Sequence, residues 1–134
     1  MAITIQNTAF KFQIAAIDDQ HQQLIDLIVR LDESVGGALP DIFGVLDELQ
    51  KYVRDHFAFE EEMLLKHAFP EYESHKHEHE VFEAYVRHLN RRIHLGKAEL
   101  QHDVLAFLKL WLTRHIQGSD RKYAEFLKQR GVVL

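Results

Sequence analysis

Apolar residues recur at intervals of three and four along most of this chain, with polar residues between them. That spacing belongs to helices that bury one face. The first such stretch carries Ile17, Leu24, Ile25, Ile28, Leu31 and Val35. It predicts a helix that opens after Asp18 or Asp19, either of them an N-cap, and stops at Gly36. A second helix is expected from near Asp41 to about Lys66, with Ile42, Val45, Leu49, Val53 and Met63 on one stripe. A third opens near Pro70, a residue suited to a first turn, with a stripe of Phe82, Val86, Leu89 and Ile93. A fourth spans about Lys97 to Gln117 and carries Val104, Leu108, Trp111 and Leu112. A shorter amphipathic tail runs from Ser119 to Arg130. Glycine and proline punctuate these stretches at Gly36-Gly37, Pro40, Pro70, Gly96, Gly118 and Gly131. Four helices joined by short loops predict an all-α, up-down-up-down four-helix bundle. We read 1–134 as one domain, with 1–16 as an N-terminal arm and 119–134 as a short C-terminal helix.

The polar residues that fall on the apolar stripes carry the chemical interest. The stretch ESHKHEHEVF places His75, His77 and His79 at alternate positions. On a helix His75 and His79 lie about 40° apart, whereas His77 points roughly 200° away from His75. His75 and His79 share the arc of Phe82, Val86 and Ile93. On the second helix His56 and Glu60 share the arc of Leu49, Val53 and Met63. His115 continues the line of Leu108, Trp111 and Leu112, and His21 sits among Ile17, Leu24, Ile25 and Ile28. Asp120 can fold back near His115 if Gly118 breaks the helix. His67, His77, His88, His94 and His102 lie off the stripes or near turns and are expected at the surface.

One inward histidine is most often a core residue bonded to a neighbour. Six inward polar groups from four helices are a different matter, because each unsatisfied one costs roughly 1–3 kcal/mol and a whole domain is stable by only about 5–15 kcal/mol. They must satisfy one another or bind something, and imidazole and carboxylate are good first-row metal ligands. Seven ligands exceed the four that zinc usually takes. Five imidazoles and two carboxylates suit two bridged metals, although a mononuclear site would use only three of the seven.

Composition narrows the remaining classes. Hydrophobic residues make up 46% and charged residues 28% of the 134, which fits an ordinary globular domain. The net charge of -5 argues against nucleic acid as a partner. The absence of cysteine removes disulfides, thiolate ligands and cysteine nucleophiles, and it fits a reducing cytosol. No signal peptide and no membrane span are expected, so a cytoplasmic monomer that makes no membrane contact is the expectation.

The order His21, His56-x-x-x-Glu60, His75-x-x-x-His79, His115-x-x-x-x-Asp120 resembles the ligand signature of the hemerythrins, and of single-domain bacteriohemerythrins in particular. The flanks IDDQHQQLIDLI, HFAFEEEM and WLTRHI resemble the family as well. The resemblance implies two non-haem iron ions (Fe2+/Fe3+) with a bridging oxo or hydroxo group. His75, His79 and His115 would hold one iron. His21 and His56 would hold the other, which keeps an open position, and Glu60 and Asp120 would bridge. It implies dioxygen as ligand, bound reversibly for carriage, storage or delivery, in a pocket lined by Leu24, Phe57, Trp111, Leu112 and Ile116. The chain departs from the family pattern in its arm, ITIQNTAFKF, which has no tryptophan, and at Ala16, where a glycine is common. The competing classes are a diiron oxidase or peroxidase, a sensor acting through a separate partner, and iron storage. Spacing alone suits zinc, manganese and iron alike, so iron is what the resemblance implies.

Overall fold

The apolar stripes close on one another in a computed structural model that describes residues 12–132. Its elements are α1 (Ala15–Glu33), α2 (Leu39–Lys66), α3 (Tyr72–His94), α4 (His102–Arg114), a π-helical segment (His115–Asp120) and α5 (Arg121–Gln129). Successive helices run antiparallel. Gln20 reaches His56 while Arg30 reaches Glu48, Glu61 meets His79 while Asp47 meets Asn90, and Asp32 meets Lys109 while His21 meets Asp120. The result is the expected all-α bundle. Ile17, Ile28, Leu46, Leu49, Val86 and Leu108 are removed from solvent along its axis. Val35, Val45 and Val104 from the expected stripes are only half-buried, and Leu46 and Leu105 fill the core beside the last two.

Several boundaries differ from the sequence expectation, each for a local reason. Helix α1 opens at Ala15, with Ile14 as an N-cap that offers no side-chain bond. Asp18 therefore is not the cap. Its carboxylate reaches back from the first turn to accept the N–H groups of Phe12 and Gln13 at 2.8 and 3.0 Å. Helix α2 carries Pro40 in its first turn, but Pro70 stays in the turn before α3. The fourth helix does not begin at Lys97. Gly96, at φ +70°, lets the Gly96 and Lys97 N–H groups close the end of α3 on Ile93 and Arg92, at 3.1 and 2.8 Å. Lys97 is thus committed to the preceding helix, and α4 opens only at His102. Gly118 makes no break: the chain stays helical from His102 to Gln129. Of the expected arm, 1–11 lie outside the described residues, as do 133–134 of the tail.

At the end of the bundle away from His21, Lys109 of α4 is buried and donates to Asp32 of α1 at 2.8 Å. His102 lies 3.2 Å from the other Asp32 oxygen. The Lys109 hydrogen bond holds the Asp32 carboxyl below its ordinary range against the opposing effect of burial. Its stabilisation is therefore present above the unfolded-state pKa and fades as pH falls through the lowered folded value. Removing one partner of a buried pair leaves an uncompensated charge. We expect Lys109→Ala to destabilise the fold by about 3–5 kcal/mol in urea unfolding. A loss below about 1 kcal/mol would show that the pair is solvated like a surface one.

Candidate metal centre

The seven sequence-predicted polar residues meet at one end of the bundle. His21 comes from α1, His56 and Glu60 from α2, His75 and His79 from α3, and His115 and Asp120 from the π-helical segment. All are buried. Two sets of atoms are close enough to hold a metal ion each: Glu60, His75, His79, His115 and Asp120 in one, and His21, His56 and Glu60 in the other. His77, His88, His94 and His102 are exposed and His67 is half-buried, so the helical period separates His77 from its two neighbours as expected.

The π-helical segment explains a spacing that an α-helix would forbid. Residues five apart on an α-helix differ by about 140° around the axis. His115 and Asp120 would then point to different faces. One turn of wider i→i+5 winding brings them back to a common face, and His115 Nε2 lies 3.1 Å from Asp120 Oδ1. No break at Gly118 is needed.

Every imidazole turns its Nε2 atom to the two carboxylates. Glu60 receives His21 at 3.3 Å, His56 at 3.1 Å, His79 at 3.1 Å and His75 at 3.5 Å. Asp120 receives His21 and His75 at 3.0 Å and His115 at 3.1 Å. Close as these are, both Asp120 oxygens, Glu60 Oε1 and His75 Nε2 are buried without an aligned hydrogen bond. His79 Nε2 and His115 Nε2 also face each other at 3.1 Å. Two neutral imidazoles in that position would oppose lone pair to lone pair, because their other nitrogens are engaged by acceptors. His79 Nδ1 donates to Glu61 Oε2 at 3.0 Å, and His115 Nδ1 donates to Glu78 Oε1 at 3.1 Å. A carboxylate cannot donate, so each Nδ1 carries the ring proton. Converging nitrogen atoms and buried carboxylates, four of whose inward atoms have no aligned hydrogen bond, make a donor set for cations, and they fit two metal ions.

Electrostatics give the same picture in protons. Burial alone would lower the pKa of His21, His75 and His115. Asp120 and Glu60 outweigh it and push the first two up to about 9, and Asp120, Glu78 and Glu60 push His115 to about 10. Glu60 and Asp120 are held well below the carboxylate range in spite of burial, with His56 and His115 the largest favourable charges respectively. The His115 hydrogen bond draws Glu78 down to about 2.

Sequence reasoning missed the residues that stand behind the histidines. Gln20 Oε1 faces His56 Nδ1 at 2.7 Å, and Ser119 donates to Glu78 at 2.7 and 2.8 Å. Tyr123 of α5, fully buried, donates its hydroxyl to Glu60 Oε2 at 2.7 Å. Its position three residues after Asp120, on the tail's apolar face, was the available signal. Of the expected pocket residues, Leu24, Phe57, Leu112 and Ile116 are buried and Trp111 is half-buried. Phe57 stacks on His79 at 3.8 Å, and Trp111 stacks on His115 at 4.6 Å.

A family model described as the hemerythrin HHE cation binding domain matches residues 13–127. A bacteriohemerythrin of Stenotrophomonas maltophilia is 32% identical over 129 residues, covering 96% of this chain and 84% of the relative. One from Methylococcus capsulatus is 32% identical over 119 residues, covering 88% and 91%. The crystal structure of a wild-type hemerythrin aligns with a TM-score of 0.86 at 29% identity, over 93% of this chain and 97% of that one.

Two outcomes follow from the arrangement. Metal-free protein gains stability from His21, His75 and His115 in full below about pH 6.5, the unfolded value, and loses it as pH rises through about 9–10. Its melting temperature should fall across that window, whereas metal-loaded protein, whose ligands are already deprotonated, should not follow. Parallel curves with and without metal would contradict the cluster's role. Separately, His79→Ala should lose at least one metal ion per chain by elemental analysis, and His77→Ala should lose none. Equal loss from both would refute the facial assignment.

Proposed function

The chain belongs to the hemerythrin family, and on that premise we propose that it binds dioxygen reversibly at a pair of non-haem irons, for carriage, storage or delivery. Membership in a family of cation binding domains supports this reading of the site as an oxygen binder rather than an enzyme. The observation that carries the proposal is the convergence of five Nε2 atoms on two buried carboxylates, with His79 and His115 Nε2 at 3.1 Å. His75, His79 and His115 would hold one iron, His21 and His56 the other, with Glu60 and Asp120 shared. Reversible two-electron exchange with dioxygen is the chemistry such a pair supplies, on the side where two histidines stand instead of three.

The protein's own residues prepare that site. The Nδ1 hydrogen bonds of His79 and His115 keep their Nε2 lone pairs turned inward. Stacking of Phe57 and Trp111 on these two rings resists their rotation. Leu24, Phe57, Leu112 and Ile116 are buried and, with Trp111, would line an apolar pocket that excludes water and protons from the ligand's position. Tyr123 holds its proton, since burial and the Glu60 and Asp120 charges raise its pKa well above the ordinary value. It therefore remains a donor to Glu60 at neutral pH.

Iron analysis and absorption spectroscopy test the reading. Reduced protein should contain two irons per chain and form, on adding oxygen, an absorption band that disappears under vacuum. Immediate conversion to the ferric form with release of peroxide would sink reversible binding and favour an oxidase.

A further inference from the structure

Three of the five inward imidazoles are held from behind by a side chain, and the backing groups are not alike. His79 Nδ1 donates to the Glu61 carboxylate at 3.0 Å, and His115 Nδ1 donates to the Glu78 carboxylate at 3.1 Å. His56 Nδ1 instead meets the neutral amide oxygen of Gln20 at 2.7 Å. His21 Nδ1 is buried with no hydrogen-bond partner among the described residues. Both anionic backing groups thus fall on the three-histidine side, where His75 has no side-chain partner at Nδ1 among the described residues, and the two-histidine side has only the neutral amide of Gln20. Glu78 is fixed in place, because the Ser119 hydroxyl donates to its carboxylate at 2.7 and 2.8 Å. Glu61 lies one residue beyond Glu60 on α2 and turns to the next helix.

We propose that Glu61 and Glu78 are positioning residues that make His79 and His115 the stronger electron donors, biasing the three-histidine side of the metal pair toward the higher oxidation state. Gln20 leaves the His21 and His56 side the less biased. A hydrogen bond from Nδ1 to a carboxylate draws the proton outward and raises the basicity of Nε2. Charge-assisted bonds of this kind are roughly twice as strong as bonds between neutral groups, so an amide oxygen polarises the ring less. A more basic imidazole favours the more highly charged metal ion and lowers its reduction potential. The Glu61 and Glu78 side chains are 22% and 38% exposed. Each can therefore be changed without opening the core, and the effect passes through the imidazole.

The inference rests on the metal-pair reading above, and the test separates the two. Glu61→Gln, Glu78→Gln and Gln20→Glu are prepared as full-length, iron-loaded proteins. Iron content is measured, and midpoint potentials are taken by spectroelectrochemical titration. Glutamine still accepts the Nδ1 hydrogen bond, so the first two variants remove charge and keep shape. Both should retain two irons. Each should shift the oxidised-to-reduced equilibrium about tenfold toward reduced, the low end of outer-shell effects, which is about 60 mV for one electron. Gln20→Glu should shift it in the opposite direction. A purely structural role would change iron content or melting temperature and leave the midpoint still. Unmoved midpoints in variants that hold two irons overturn the inference alone. If the glutamine variants lose their iron, Gln20→Glu decides, and an unmoved midpoint there overturns it. Shifted midpoints without a reversible oxygen adduct overturn the proposed function alone. Wild-type protein that holds no metal pair overturns both.

Discussion

The carboxylates of Glu60 and Asp120 are sealed from solvent, and the rest of the bundle's polar end is arranged to tolerate them. An unpaired buried charge costs several kcal/mol even after the protein relaxes, against a total stability of only about 5–15 kcal/mol. No single helix can answer two such charges. An α-helix offers inward positions only every three or four residues, and no one helix here supplies more than two of the five inward histidines. The answer comes from α1, α2, α3 and the π-helical segment together, with five Nε2 atoms between 3.0 and 3.5 Å from a carboxylate oxygen. Folding the bundle and assembling the cluster are one event, because bringing in one helix without the others would leave a carboxylate stranded.

The same constraint accounts for the irregular winding after α4. Asp120 must face the cluster that His115 faces, yet five residues of α-helix would turn it away. A regular helix would bury an unanswered His115 or expose Asp120. Widening one turn costs hydrogen-bond quality in that turn, a smaller penalty than a stranded charge. Continuous helix on either side also directs α5 back over the cluster, where Tyr123 meets Glu60. A true break at Gly118 would leave α5 free to leave the bundle.

How far the sequence could be read follows from the range of the interactions involved. Residues on one helix face announce themselves by period, and so His75 and His79 separate from His77 without a structure. The bundle was legible for the same reason: its stripes are long and regular. Helix starts were less so, since Asp18 and Lys97 are drawn into hydrogen bonds with neighbouring backbone that compete with capping and initiation. The residues behind the histidines were the least legible. Glu61 and Glu78 sit among other acidic residues in EEEM and HEHE, and alone each reads as a solvated charge. Only the crossing of α2 with α3, and of α3 with the π-helical segment, gives either of them a histidine.

Rigidity at the cluster comes from two different sources, and the difference matters for what the site can do. On the His79 and His115 side each ring is bonded at Nδ1 and stacked against an aromatic face, by Phe57 and Trp111. Rotation about either side chain would break a charge-assisted bond and a stack together. On the other side His56 is also held, by Gln20 at Nδ1 and by the parallel Tyr52 ring at 6.2 Å, whereas His21 meets Phe12 and His56 edge-on at 5.7 and 5.2 Å and its Nδ1 is unbonded among the described residues. A ring held by fewer contacts has less to lose when its neighbourhood rearranges. His21 is therefore less constrained than His56, His79 and His115. The difference arises from the side chains placed behind the rings, while the inward donor atoms remain chemically the same.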